Sequence, residues 1–222
     1  MNPSLWTEVD RYITDAVVAP DSILEGALQA SAEAGLPEIQ VSANQGKLLH
    51  LLARTNGARR ILEIGTLGGY STLWLARALP AGGRIVTLEL EPAHVAVARA
   101  NFERAGVSEM IDLRVGLASE SLAQLVKEGA EPFDFIFIDA DKASITTYFD
   151  YAIQLARPGS VIIVDNVVRN GAITNPHDPD PSVQGVRQFY AMLASEKRVQ
   201  VSAIQTVGSK GYDGFAFALV IG

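Results

Sequence analysis

The chain has 222 residues, 48% of them hydrophobic, and a formal net charge of −7; that is enough to bury one sizeable core, short for two complete domains, and lacks the net basic charge that tracks a phosphate backbone. It contains no cysteine, which excludes disulfide frameworks, thiolate metal sites and cysteine nucleophiles together. No apolar run approaches the roughly 20 residues of a membrane-spanning helix, and Glu8, Asp10, Arg11 and Asp15 interrupt the N-terminal stretch where a signal peptide needs a continuous apolar segment, so a mature, cytoplasmic, single-domain protein spanning 1–222 is expected.

Residues 1–57 are expected to form a helical segment with three helices. The second opens at Ser22-Ile23-Leu24-Glu25, the Ser-x-x-Glu form of a capping box, just after Pro20. The third follows Asn44, where Leu48, Leu51, Leu52 and Thr55 recur at helical spacing. From residue 58 onward short β-rich runs alternate with helical stretches. The strands are predicted at Arg60–Ile64, Arg84–Leu88, Ile111–Val115, Phe133–Ile138 and Val161–Val164, with helices over Ser71–Ala78, Pro92–Ala105, Ser119–Lys127 and Ala143–Ala156 between them. This alternation argues for a parallel sheet flanked by helices. Two further strands, Val199–Thr206 and Phe215–Ile221, form a terminal antiparallel hairpin around Gly208-Ser209-Lys210-Gly211, with a loop longer than the minimal two-residue turn. The polar, proline-bearing stretch from Asn170 to Gln184 is expected to be a loop beside the sheet.

The first strand runs into Glu63-Ile64-Gly65-Thr66-Leu67-Gly68-Gly69-Tyr70-Ser71, immediately before a helix. Glycines at such a strand-to-helix turn let backbone approach a ligand closely. The spacing is neither the Gly-x-Gly-x-x-Gly of dinucleotide binding nor a loop ending in Gly-Lys-Ser/Thr for a triphosphate; it is Glu-x-Gly-x-x-Gly-Gly. Glu89 closes the second strand, where a carboxylate can accept the hydroxyl hydrogens of a ribose. Together they indicate a nucleotide-like ligand.

The fourth strand ends in Asp139-Ala140-Asp141-Lys142 and the fifth in Asp165-Asn166. Strand C-termini of an open parallel sheet share one edge, so Asp139, Asp165 and Asn166 can meet there. Two carboxylates and an amide oxygen suit Mg²⁺, Mn²⁺ or Ca²⁺. Each cluster taken alone also fits a helix cap or a turn, but the two on the same edge as the glycine loop favour a metal site, with Lys142 beside it. His50, His94 and His177 lie in separate segments without zinc-ligand spacing.

With these motifs the chain resembles the cation-dependent class I O-methyltransferases, which include catechol and caffeoyl-coenzyme A O-methyltransferases. Val41-Ser42-Ala43-Asn44-Gln45-Gly46, the loop from Glu63 to Ser71, the run Phe137–Lys142 and Val164-Asp165-Asn166 carry the similarity, which spans nearly the whole chain. The resemblance implies a Rossmann-like seven-stranded, mostly parallel sheet flanked by helices, with an antiparallel C-terminal strand, and often a homodimer. It places Val41, Glu63, Gly65, Ser71, Glu89, Ala118 and Asp139 around S-adenosylmethionine; Asp139, Asp165 and Asn166 on a divalent cation, Mg²⁺ foremost; Lys142 as catalytic base or oxyanion stabiliser; and Asn170 against the substrate. Ala140-Asp141 stands where animal catechol enzymes have His-Trp, so the similarity is closer to the plant and bacterial branch.

The activity implied is methylation of one hydroxyl of a small catechol-like or caffeoyl-like phenol. Two other readings stand beside it. Methylation of a hydroxylated tRNA nucleoside has the acidic charge balance against it, and a non-catalytic S-adenosylmethionine-binding interaction protein has the joint presence of Asp139, Lys142, Asp165 and Asn166 against it.

Overall fold

The computed structural model describes residues 2–222. Its sheet has seven strands: β1 (Arg60–Ile64), β2 (Arg84–Glu89), β3 (Ile111–Val115), β4 (Phe133–Ile138), β5 (Ala156–Asp165), β6 (Val199–Gly208) and β7 (Gly211–Val220), in the order β3-β2-β1-β4-β5-β7-β6. All neighbours pair in parallel except β7, which is antiparallel to both β5 and β6. This is the Rossmann-like arrangement expected.

The central strands are buried on both faces, and the alternation of side chains divides them between two cores. Leu62, Ile64, Ile136 and Ile138 face one core; Ile61, Phe135 and Phe137 face the other. The chain leaves β1 for β2 on one side and returns to β4 on the other, so the crevice at their C-terminal ends is the topological switch point where α/β sheets bind ligands.

The helices are α1 (Pro3–Val17), α2 (Ser22–Glu33), α3 (Ala43–Thr55), α4 (Tyr70–Ala76), α5 (Pro92–Arg104), α6 (Ala118–Lys127), α7 (Ile145–Gln154) and α8 (Pro181–Leu193). The cap of α2 lies one residue before the expected one. Asp21 accepts the N–H groups of Ile23 and Leu24 at 3.1 and 3.0 Å, and Glu25 takes the N–H of Asp21 in return at 3.4 Å. In α3 the buried face is Gly46, Leu49 and Ala53; of the periodic residues noted in the sequence, Leu52 packs against the core while Leu48, Leu51 and Thr55 are exposed.

Three other expectations are corrected. Strand β5 begins at Ala156 because Ala156 pairs with Phe133 at the start of β4. The β6–β7 hairpin is a minimal two-residue turn, Ser209-Lys210, with Gly208 paired to Gly211. The stretch Asn170–Gln184 is not all loop: a 3₁₀ segment covers Arg169–Thr174, and α8 starts at Pro181 with Asp180 capping the N–H of Ser182 at 2.8 Å. Helix α8 buries Val183, Val186 and Phe189, the last edge-on to Phe149 of α7 at 5.0 Å. Among the described residues no helix is long and apolar enough to cross a membrane.

Candidate active site

The turn after β1 is shaped by two close approaches. Gly65 has φ 103°, and a Cβ there would overlap the carbonyl oxygen of Asp139; Gly69 has φ 83°, and a Cβ there would overlap the Phe102 ring. The first seats the loop against the end of β4, the second against α5. Only glycine meets both demands, an unusual φ and no room for a side chain.

Two carboxylates hold this turn from behind and from the side. Glu63 is fully buried on the α4 side of β1 and accepts the hydroxyls of Ser71, Thr72 and Thr87 at 2.6, 2.5 and 2.7 Å. Burial pushes its carboxyl up to about 7 despite those three donors, and the charge of Asp139 adds to the rise. Glu89 ends β2. Its Oε2 accepts the N–H groups of Thr66 and Leu67 at 3.2 and 2.7 Å, and its Oε1 accepts those of Leu90 and Glu91, both at 2.9 Å, with His94 Nδ1 at 3.2 Å. One side chain thus organises the glycine loop and the turn after β2.

These elements border a cavity of about 690 Å³ at the C-terminal edge of the sheet. Val41, Gly65, Ser71, Glu89, Ala118, Asp139, Lys142 and Asn166 line it. Three of the residues singled out in the sequence do not. Glu63 lies beneath the loop and reaches the wall through Ser71 and, by way of the Thr87 hydroxyl, through Thr66. Asp165 is buried behind Asn166, and Asn170 is exposed outside the lining.

At the far side of the cavity, Lys142 Nζ donates to Asp139 Oδ1 at 2.8 Å and is itself buried. Asp165 accepts the Asn166 N–H at 2.8 Å and the side-chain amide of Gln45 at 2.6 Å. Its carboxyl is held above the usual carboxylate range by burial and by the neighbouring charge of Asp139, with Lys142 opposing. Asp139 and Asp165 are near enough for their charges to repel, and Asn166, held at φ 58° and lining the cavity, follows directly; in chemical type, two carboxylates and an amide oxygen fit a divalent cation. No group of three or more His, Cys, Asp or Glu side chains gathers for a metal among the described residues, so any such site depends on Asn166 as well.

Several residues of the site escaped the sequence reading. Gln45 is in the quoted run before the first strand, but its partner Asp165 is remote in sequence. Tyr148, on the cavity wall, donates its hydroxyl to Asp141, and burial together with that carboxylate pushes the phenol up to about 12. Arg169 and His94 also line the cavity.

Residues 15–217 match the family model described as O-methyltransferase. The chain belongs to the S-adenosylmethionine-dependent O-methyltransferase family. This methyltransferase is 50% identical over 220 residues to a catechol O-methyltransferase of Niastella koreensis, covering 99% of this chain and 100% of the relative. Among solved structures it is similar to an O-methyltransferase from Bacillus cereus in complex with SAH, with TM-score 0.97, 55% identity and 99% and 100% of the two chains covered. It is also similar to the O-methyltransferase TomG of Streptomyces achromogenes, involved in tomaymycin synthesis and solved with SAM, with TM-score 0.96, 52% identity and full coverage of both chains. The methyltransferase is therefore an enzyme of this family, and the reading as a non-catalytic binding protein is set aside.

Proposed function

We propose that this enzyme binds S-adenosylmethionine over its glycine loop and methylates one hydroxyl of a small catechol-like acceptor, with a divalent cation held by Asp139, Asp165 and Asn166. The observation that carries the reading is that Gly65, Ser71 and Glu89 line the same cavity as Asp139, Lys142 and Asn166. The catechol O-methyltransferase relative and the SAH- and SAM-bound neighbours support the acceptor class and the methyl donor.

When bound, S-adenosylmethionine supplies the methyl group, and the cation supplies the Lewis acidity that lowers a hydroxyl pKa. The protein's own part is positioning and electrostatics. Glu89 and the loop it anchors bind the nucleoside end; Ser71 and Ala118 shape that wall. Asp139, Asp165 and Asn166 would hold the cation through oxygen donors and leave coordination positions that two adjacent acceptor oxygens can fill. Lys142 is oriented by its ion pair with Asp139, so its ammonium stands as a donor for the phenolate oxygen that develops during transfer. The low exposure of Lys142 and Asp165 limits water and strengthens these interactions.

The protein is further proposed to act as a homodimer through α1 and the edge strand β6. Leu5, Val9, Tyr12 and Val17 on the helix, and Val201, Ile204 and Val207 on the strand, are exposed, Tyr12 by 76%; a second copy would cover them. Light scattering on the purified protein tests this.

The activity is tested by methyl transfer to catechol, to a single-hydroxyl phenol and to undermodified tRNA, each with EDTA and after adding back Mg²⁺. Transfer to catechol that EDTA abolishes and Mg²⁺ restores, with the phenol a poor acceptor and Asp165→Ala resisting restoration, is the expected result. Full activity after rigorous chelation overturns the metal assignment, and transfer to tRNA alone overturns the acceptor.

A further inference from the structure

We propose that Arg169 sets acceptor specificity in this cavity by selecting aromatic acceptors that carry a carboxylate. The proposal rests on the reading of the cavity as a methyl-transfer site and adds the charge of the acceptor to it.

Arg169 lies three residues after Asn166, and both line the cavity. Its backbone is held at φ 52°, where the N–H groups of Val168 and Arg169 both donate to Asp213 Oδ1, at 2.9 and 3.0 Å. A non-glycine residue keeps such a conformation only where its surroundings fix it. Asp213 therefore sets the point from which the guanidinium reaches the wall.

The guanidinium itself is poorly satisfied. Its Nε is buried without a hydrogen-bond partner among the described residues, and the nearest carboxylate, Asp180, is 4.0 Å from an Nη. Asp180 Oδ1 caps α8 through the Ser182 N–H at 2.8 Å, and its Oδ2 comes no nearer to the guanidinium than that 4.0 Å, beyond hydrogen-bond distance. Lys142, by contrast, has Asp139 at 2.8 Å. A guanidinium stays protonated in proteins, so Arg169 presents the cavity with a fixed charge and unused donors. Ser182, in the first turn of α8, lines the same cavity, which brings the partial positive end of that helix to it as well.

An incoming carboxylate accepts a paired set of guanidinium N–H bonds. Arg169 and Asn166 leave the end of one strand, so an acceptor whose hydroxyls meet the Asp139, Lys142 and Asn166 side would direct a ring carboxylate to Arg169. The class of acceptor is a dihydroxylated aromatic acid; a neutral catechol leaves the guanidinium unpaired, and a catechol amine is repelled by it.

Two measurements test this. In the first, kcat/KM is measured for wild type, Arg169→Met and Arg169→Lys with 3,4-dihydroxybenzoate, catechol and dopamine, using S-adenosylmethionine and Mg²⁺. The expected result is a fall of tenfold or more in the acid-to-catechol ratio in Arg169→Met, arising in KM, and a smaller fall in Arg169→Lys. Equal losses on all three acceptors, or none, overturn the proposal. In the second, calorimetry compares 3,4-dihydroxybenzoate with its uncharged amide on the wild-type protein and Arg169→Met, with S-adenosylhomocysteine present and no turnover. Wild type should bind the acid at least tenfold more tightly than the amide, and the variant should lose that difference. If it does so yet no methyl is transferred, the methyl-transfer reading fails while Arg169 keeps its assignment. If wild type binds acid and amide alike, or neither, Arg169 loses it even where catechol is methylated.

Discussion

The side-chain amide of Gln45 donates to Asp165 Oδ2 at 2.6 Å, tying the first turn of α3 to the end of β5 across 120 positions of sequence. Asp165 is buried, so its orientation depends on the few donors that reach it. Partners that orient metal-ligating carboxylates are worth roughly 10- to 100-fold in metal affinity or activity. Gln45→Leu is therefore expected to weaken Mn²⁺ binding, followed by electron paramagnetic resonance, by about tenfold or more, with a smaller effect on S-adenosylmethionine affinity. Unchanged Mn²⁺ affinity in a folded variant removes Gln45 from this role.

Glu89 carries a double consequence. The resemblance makes it a ribose contact, yet its two oxygens also accept four backbone N–H groups. Hydrogen bonds to a charged group contribute about 1.5 to 3 kcal/mol, and donors left buried without a partner add a penalty. Glu89→Ala should then lower cofactor affinity by roughly tenfold or more and lower Tm as well, since Thr66 and Leu67 lose the acceptor that shapes their loop. A loss of affinity with an unchanged Tm would show that ribose contact is its whole role.

How much of this was legible follows from the same physics. Strands β1, β3 and β4 have the predicted bounds for two reasons: β1 and β4 are central, buried strands rich in apolar residues, while β3 is an edge strand whose Ile111-Asp112-Leu113-Arg114-Val115 alternation marks a half-exposed one. The α2 cap was displaced by one residue because Asp21 and Ser22 are both cap-forming types. Helix α8 was hidden by the prolines around it, although Asp180-Pro181 is a cap followed by the first helical position, where proline is tolerated because that N–H has no intrahelical partner. In the site, strand-end residues could be read from topology, but side-chain direction could not. Arg169 and Asn170 both sit at positive φ, 52° and 54°, which breaks the alternation a strand would continue; Arg169 reaches the cavity and Asn170 faces solvent. Long-range partners such as Gln45 and Asp165 leave no local signal at all.

Gly185 of α8 stands against the backbone of Lys142, and a Cβ there would overlap the Lys142 carbonyl oxygen. Helix α8 thus buttresses the loop that aims Lys142 at Asp139. Gly185→Ala is expected to destabilise by about 1 to 3 kcal/mol through overpacking and to lower kcat severalfold by displacing Lys142. Gly26 in α2 is the control: its nearest neighbour to an added Cβ is an Arg104 side-chain atom at 3.9 Å, so Gly26→Ala should raise stability by roughly 0.5 to 1 kcal/mol, as alanine does in helix interiors. Thermal unfolding and steady-state kinetics of the two variants check the contrast.

Glu63 offers a pH test that does not require turnover. Burial raises its carboxyl from 4.5 to about 7 in the folded protein, so between those values the native state retains a proton that the unfolded chain has released. Stability tied to this group is fully present below about pH 4.5 and is lost as pH rises toward and through 7, a change on the order of 3 kcal/mol for a fully buried carboxyl. Glu63→Gln removes the titration while its amide can still meet the hydroxyls of Ser71, Thr72 and Thr87, which can turn to donate or accept. Urea unfolding at pH 5, 6, 7 and 8 should therefore show wild type losing stability relative to Glu63→Gln as pH increases, most steeply between 5 and 7. Asp165, whose carboxyl is also raised by burial, is common to both proteins and largely cancels in the difference. A gap between the two that stays constant over this range would mean that Glu63 is already ionised in the folded state and that its three hydroxyl donors outweigh its burial.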